Sequence, residues 1–238
     1  MRVQPRDASV PTRLPYETES VVPEGVDRIR IRFTKTGTTR FLSHLELINL
    51  FGRAVNRAGI PIRFSQGFHP HPKFSFATAL SVGVESIAEY LDMEVAPGFG
   101  AEAVLSRLNQ ALPRGMTVLE AWSVPPKAPS LSVIMERVRY LVTLPAANPD
   151  LQASAERFLA LESHPYRREK KGGAQEFDLR RELHTLLVEG NAITLEIGRG
   201  KPLEFVAAIT GLPLSDLVDC RIEKIAVVFS EEPGAGER

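Results

Sequence analysis

Two stretches decide how the first half of the chain reads: RIRIRF, Arg28–Phe33, and SHLELINLFGRAVNRAG, Ser43–Gly59. In the first, basic and apolar residues alternate, the period-two pattern of a half-buried strand. Ile29, Ile31 and Phe33 are expected to face a core, and Arg28, Arg30 and Arg32 to stand in a row on the other face. In the second, Ser43 followed three residues later by Glu46 is a capping box that starts a helix. Leu47, Ile48, Phe51, Val55 and Ala58 form its apolar stripe, with Asn49, Arg53, Asn56 and Arg57 opposite. Gly59 ends the helix and Pro61 prevents its return. His44 lies in the first turn, where the helix dipole disfavours an imidazolium, so the ring is expected to be neutral.

Outward from these stretches the order of elements continues. PIRFS reads as a strand, Gln66-Gly67 as a turn, Lys73–Thr78 as a short strand and EYLDMEVAP as another. A helix over FGAEAVLSRLNQAL and a strand over GMTVLEAWSV complete β-α-β-(β)-β-α-β. After a Pro-rich stretch, SVPPKAPSLS, the order recurs. RVRYLVTLP is a strand that again alternates Arg with apolar residues, and PDLQASAERFLALE is a helix. A polar hairpin is expected around Gly172-Gly173, and one or two strands around Gly190-Asn191. The helix KPLEFVAAITGL and the strand VDCRIEKIAVVF close the half. The fold class expected is α+β, with two tandem ferredoxin-like (βαββαβ) domains at 28–124 and 135–229. A Pro-rich linker at 125–134 joins them, an extended arm precedes them at 1–27, and a disordered tail follows at 230–238.

The 238 residues are 43% hydrophobic and 24% charged, an ordinary globular composition. No apolar run approaches the roughly 20 residues that span a bilayer, and the first residues show no signal-peptide core. The chain is therefore expected in the cytoplasm, with no membrane partner. Cys220 is the only cysteine, which excludes an intramolecular disulfide and any all-cysteine zinc or iron–sulfur site within one chain. Net charge is zero, but unevenly spread. Between Arg28 and Ser81, nine basic residues face one acid, Glu46. Between Val82 and Gln110, Glu85, Glu89, Asp92, Glu94 and Glu102 face only Arg107. Such a split implies either an anionic partner for one surface or charges that pair across the fold.

Three features bear on chemistry. In FSQGFHPHPKFSFA, Phe64–Ala77, His69 and His71 fall on one side of an extended chain, and the prolines keep the run out of a central strand. A stiff binding loop is preferred, a purely structural turn comes next, and a metal site built with His44 comes last, because His-x-His alone is not specific. Ser43, His44, Ser65, Gln66 and His69 form a polar set beside it. The second feature is the cations Arg30, Arg32, Arg53, Arg57 and Lys73 together with Phe68 and His71. They offer the phosphate neutralisation and stacking that single-stranded nucleic acid needs. Phe68, in a loop between Gly67 and His69, is the phenylalanine expected to be exposed. The third is the hairpin containing Lys170, Lys171 and Arg180, which is either a solvated tip or a phosphate-contacting finger. No catalytic constellation stands out, no cofactor is implied, and no metal ligand set is assigned.

The residues Ser43-His44-Leu45, Arg57-Ala58-Gly59, Ser65 through Lys73, Lys170-Lys171-Gly172 and Asp178-Leu179-Arg180 carry a resemblance to the radical-SAM-linked protein family, over roughly Arg28 to Phe229. Members stand alone or are fused behind cobalamin-binding radical SAM enzymes, and the stand-alone genes often neighbour those of ribonuclease E/G. Many relatives have Asp where this chain has Glu46 and Asn where it has His69, which argues against His69 as a metal ligand. The resemblance implies an accessory role near a radical SAM enzyme or a ribonuclease, and RNA (tRNA or rRNA) as partner. With one cysteine, the chain cannot itself hold the three-cysteine cluster of a radical SAM enzyme. An RNA-binding accessory protein is thus the first expectation, a module docking a radical SAM enzyme the second, and a histidine-dependent hydrolase the third.

Overall fold

In a computed structural model, residues 25–230 are described, apart from Lys171 and the side chain of Lys170. The expected arm, but for its last three residues, and all but the first residue of the expected tail lie outside them. The first half contains β1 (Asp27–Lys35), α1 (His44–Arg57), β2 (Phe74–Phe76), β3 (Glu85–Val95), α2 (Ala101–Ala111) and β4 (Val118–Val124). A short turn, α3 (Leu131–Ile134), leads into β5 (Met135–Thr143), α4 (Leu151–Leu159) and the hairpin β6 (Pro165–Lys170) and β7 (Gly173–Asp178). A second short turn, α5 (Leu179–Glu182), precedes β8 (Leu183–Glu189), β9 (Ala192–Ile197), α6 (Pro202–Thr210) and β10 (Arg221–Phe229).

Eight of these strands form one mixed sheet, in the order β4-β1-β3-β10-β5-β9-β8 with β2 on the flank of β3. The protein is therefore α+β, but its halves are not separate bodies: β10 runs parallel to β3 through Glu223–Glu85 and Lys224–Ser86 and closes them into one sheet. The remaining pair, β6–β7, is a hairpin standing off that sheet.

Period-two burial sets the first core. Ile29, Ile31 and Phe33 of β1 and Leu91, Met93 and Val95 of β3 are buried against Leu47, Phe51 and Val55 of α1 and Val104 and Leu108 of α2. Phe33 meets Phe51 edge-on at 4.9 Å, and Phe74 and Phe76 of β2 join the same cluster. The second core packs Val142, Ile193, Leu195 and Ile222 against Phe158 of α4 and Phe205, Val206 and Ile209 of α6. Between the cores runs a polar seam. Lys224 is wholly buried and lies 2.8 Å from the buried Glu89, a contact that misses hydrogen-bond geometry. Lys35 is as deeply buried and donates to the carbonyls of Arg40 (3.2 Å) and Leu42 (2.8 Å). Loss of water pushes its pKa down, with Glu89 and Glu46 pulling the other way.

The Pro-rich segment after β4 is no free linker. Leu131 and Ile134 are buried, and the chain crosses the sheet face opposite the helices as a strap. Arg28 donates to the carbonyl of Ala128 (2.6 Å), and Arg30 to that of Pro129 (3.3 Å). On the same face Tyr90 meets Trp122 and Phe229 edge-on, at 6.4 and 5.0 Å.

Candidate functional site

The His-Pro-His-Pro stretch forms the tip and return arm of a narrow hairpin, and its backbone bonds explain the prolines. Gly59, at φ +60°, turns the chain out of α1. Ile62 then bridges to Val95, and Arg63 N–H donates to Glu94 O at 2.8 Å. The stem closes through Lys73 N–H to Arg63 O (2.9 Å) and Ser65 N–H to His71 O (2.8 Å), with Phe64 bridging Pro72. The Ser65 hydroxyl accepts from His71 N–H at 3.0 Å. Pro70 and Pro72 thus alternate with the residues that donate, which is where a missing N–H costs nothing. Pro72 leans on α1 at Gly52, where an added Cβ would sit 3.8 Å from the proline ring. The strand expected over PIRFS is therefore two isolated bridges, and β2 is confined to Phe74–Phe76.

At the tip, Gln66, Gly67, Phe68, His69 and Pro70 are all exposed, and Phe68 is completely so, at 102%. His71 and Lys73 are exposed on the return arm, and Lys73 pairs with Glu94 at 3.0 Å. On α1, the helix that Pro72 leans on, Arg53 stands exposed and makes no ion pair among the described residues. Arg57, one turn on, donates to Ala111 O at 2.6 Å, closing the end of α2. Arg107, absent from the expected set, answers it by reaching Ala58 O and Gly59 O at 3.4 Å, and the two arginines line a shallow cleft of about 540 Å³. Its place in an acid-rich stretch concealed it.

Other expected residues lie elsewhere. Arg30 is corrected outright: it is 2% exposed, with its guanidinium on Asp92 at 2.7 and 3.0 Å, and is unavailable to a phosphate. Arg32 pairs with Glu120 on the sheet face opposite α1, away from Arg53. Of the polar set, Ser43 forms the expected capping box with Glu46. The ring of His44 packs 5.1 Å from Phe76, with Nδ1 buried and unbonded, while His69 is out in solvent. Among the described residues no three His, Cys, Asp or Glu side chains cluster as metal ligands. In the second half, Arg180 donates to Leu159 O at 3.2 Å, at the base of the β6–β7 hairpin rather than near α1. The side chains of Lys170 and Lys171 lie outside the described residues.

Asp178 fixes that base. Burial alone would push its carboxyl up, but N–H groups of His164, Arg181 and Arg180 and the Ser163 hydroxyl outweigh it and hold the pKa at about 2.

The site is thus an exposed apolar tip, Phe68, on a hydrogen-bonded hairpin that leans on α1, with Arg53 exposed on that helix. The chain belongs to the family described as an uncharacterized protein conserved in bacteria (DUF2344), whose model matches residues 28–204. No match to a curated protein is found. Among solved structures, a Cbf5–Nop10–Gar1 complex is similar at TM-score 0.40 and 9% identity, over 82% of this chain and 47% of that one. An archaeal box H/ACA sRNP Nop10–Cbf5 complex follows at 0.35 and 10%, over 85% and 47%. A protein of unknown function from Galdieria sulphuraria follows at 0.29 and 10%, over 86% and 99%. The chain thus spans about half the length of the first two, and at these scores none of the three bears on its function. No helix among the described residues is long and apolar enough to cross a membrane.

Proposed function

We propose that the chain is an RNA-binding accessory protein that takes single-stranded or looped RNA on the surface made by α1 and the Arg63–Lys73 hairpin. The observation that carries this reading is Phe68. An apolar ring left wholly in water contributes nothing to folding, yet here it sits on a proline-stiffened stem that leans on α1, the helix that carries the exposed Arg53. A base stacking on such a ring contributes about 1–3 kcal/mol, and nearby cations neutralise the backbone. Arg53, Arg57 and Lys73 supply that charge, and His71 a polar base contact. Lys170, Lys171 and Arg180 would add a second, weaker contact through the β6–β7 hairpin.

Each half reads as a ferredoxin-like unit, 28–124 and 135–229. The strand orders β4-β1-β3-β2 and β10-β5-β9-β8 support this, drawn from β-α-β-β-α-β in the first half and from the same succession with the β6–β7 hairpin inserted after α4 in the second. Fused into one sheet, the two units would present the RNA in the cytoplasm to a radical SAM enzyme or to ribonuclease E/G. The test is the ratio of absorbance at 260 and 280 nm of protein purified in low salt and again after a high-salt wash. A high ratio that falls with salt is expected. A protein-like ratio under both conditions contradicts the reading and leaves docking of a radical SAM partner as the use of the same surface.

A further inference from the structure

At the other end of β3 from the hairpin lies a second concavity, a cleft of about 640 Å³ between the two halves. From the first half it is lined by Arg40, Phe41 and Glu85, and from the second by Val218, Asp219 and Arg221. The nine residue steps along β3 from Glu85 to Glu94, at about 3.3 Å each, place it about 30 Å from the hairpin's base.

Glu85 organises the cleft. Its side chain is only 8% exposed, and both oxygens are engaged: Oε1 by Gly37 N–H (2.8 Å) and Arg40 (3.4 Å), Oε2 by Arg221 (2.9 and 3.1 Å). Burial works against its charge, but the Gly37 N–H and the two guanidiniums more than offset this, so the group stays a carboxylate. One buried anion therefore holds two cations from opposite halves at a fixed spacing. Those cations are not consumed by it: the Arg40 side chain is 39% exposed and that of Arg221 71%. The fixed fork of a guanidinium suits phosphate, and holding two in place beforehand lowers the ordering cost of binding one.

The walls set the rest of the ligand. Arg40 lies over the Phe41 ring at 4.6 Å, yet the ring is 58% exposed, and Val218 across the cleft is 71% exposed. A ring with a cation on one face and solvent elsewhere is a stacking surface for a planar heterocycle. Asp219, exposed at the rim, supplies an acceptor for the hydroxyl groups of a ribose or the amino group of a base. The cleft's volume falls in the range usual for small-ligand sites, about 300–1,000 Å³.

We propose that this cleft binds a nucleoside monophosphate unit, with the phosphate on Arg221 and Arg40, the base against Phe41 and a hydroxyl on Asp219. The unit is either a free nucleotide or the 5′-phosphorylated end of an RNA chain. The site stands apart from the hairpin surface, so either can fail without the other.

Calorimetric titration of the full chain with AMP, GMP, CMP, UMP and inorganic phosphate tests it, alongside a short RNA with and without a 5′-phosphate. Phe41→Ala and Arg221→Gln are the variants, both of exposed side chains, with thermal melting as the check that they fold. Expected is binding of at least one nucleotide, or of the 5′-phosphorylated RNA over its unphosphorylated form, weakened at least tenfold by each substitution and unchanged by Phe68→Ala. Binding of the nucleotide identifies a free ligand, and binding of the phosphorylated RNA alone identifies a chain end. Absence of binding in both arms, binding that survives both substitutions, or inorganic phosphate binding as tightly as the nucleotides overturns the proposal.

Discussion

The two halves carry the same arginine device in two states. In the first, Arg28 and Arg30 of β1 reach across to Asp92 of β3, and the strap closes over them with the carbonyls of Ala128 and Pro129. In the second, Arg137 and Arg139 of β5 reach across to Glu196 of β9, at 3.1 and 2.6 Å. These two side chains stay 32% and 44% exposed, against 13% and 3% for Arg28 and Arg30. β5 and β9 hold the places in the second half that β1 and β3 hold in the first. The alternation of Arg with apolar residues is thus a cross-strand ion-pairing device of this fold, whatever lies above it. Arg53 of α1, by contrast, is exposed and makes no ion pair among the described residues.

The largest expected effect separates the two clamps by stability. Asp92→Ala leaves two guanidiniums under the strap without their carboxylate, and breaking a buried pair in this way costs about 3–5 kcal/mol. Glu196→Ala releases arginines that already reach water, and its cost is expected to be about 1 kcal/mol, near that of a surface pair. Urea denaturation of both variants checks this, and equal losses would erase the distinction between them. The seam offers a related contrast. Glu89→Gln strands Lys224 in the interior and should cost about 3–5 kcal/mol, whereas Glu89→Leu combined with Lys224→Met should recover much of that loss.

Next in size is the contrast between exposed and clamped residues in RNA binding. Phe68→Ala should weaken binding of a single-stranded RNA about 5- to 150-fold, the equivalent of one lost stacking contact. Its melting temperature should not move, because the ring packs against nothing. Arg32→Ala, which removes a cation paired on the far sheet face, should change affinity less than about twofold.

The smallest expected effect is on pH dependence. The folded pKa of Asp178, about 2, lies below its ordinary 3.8. Its contribution to stability is therefore present in full above pH 3.8 and is lost as pH falls through about 2. Asp178→Asn should flatten the acid limb of the stability curve in that window and leave the neutral range without a pH slope of its own. An acid limb identical to that of the unmodified chain would show that the bonds at the base of the β6–β7 hairpin do not couple to folding.

Much of the architecture is legible in the sequence because it is set locally. Ser43 and Glu46 mark the start of α1, Gly59 its end, and Gly172 and Gly190 the two later turns. What was not legible depends on partners far along the chain. Arg30 reads as a surface cation until Asp92, 62 residues away, is placed beside it. β3 begins at Glu85 rather than near Glu89, because the buried Ser86, in register with Lys35, and the buried Glu89, against Lys224, break the apolar alternation. The Pro-rich composition of 125–134 signals an irregular path but not what it lies against; the burial of Leu131 and Ile134 decides that. The cleft at Arg40 and Arg221 draws its residues from both ends of the sequence, and no spacing announces it.

The most direct test of the central claim is fluorescence anisotropy of a labelled single-stranded RNA with two paired variants, across a series of salt concentrations. With Arg53→Ala and Phe68→Ala combined, affinity should fall more than tenfold. With Arg32→Ala and Arg139→Ala combined, it should stay within about twofold of the unmodified protein. For the unmodified protein, log affinity should fall against log salt by about 0.7 per phosphate contacted. Binding that ignores salt, or that is lost with the sheet-face pair and kept without Arg53 and Phe68, would contradict the account.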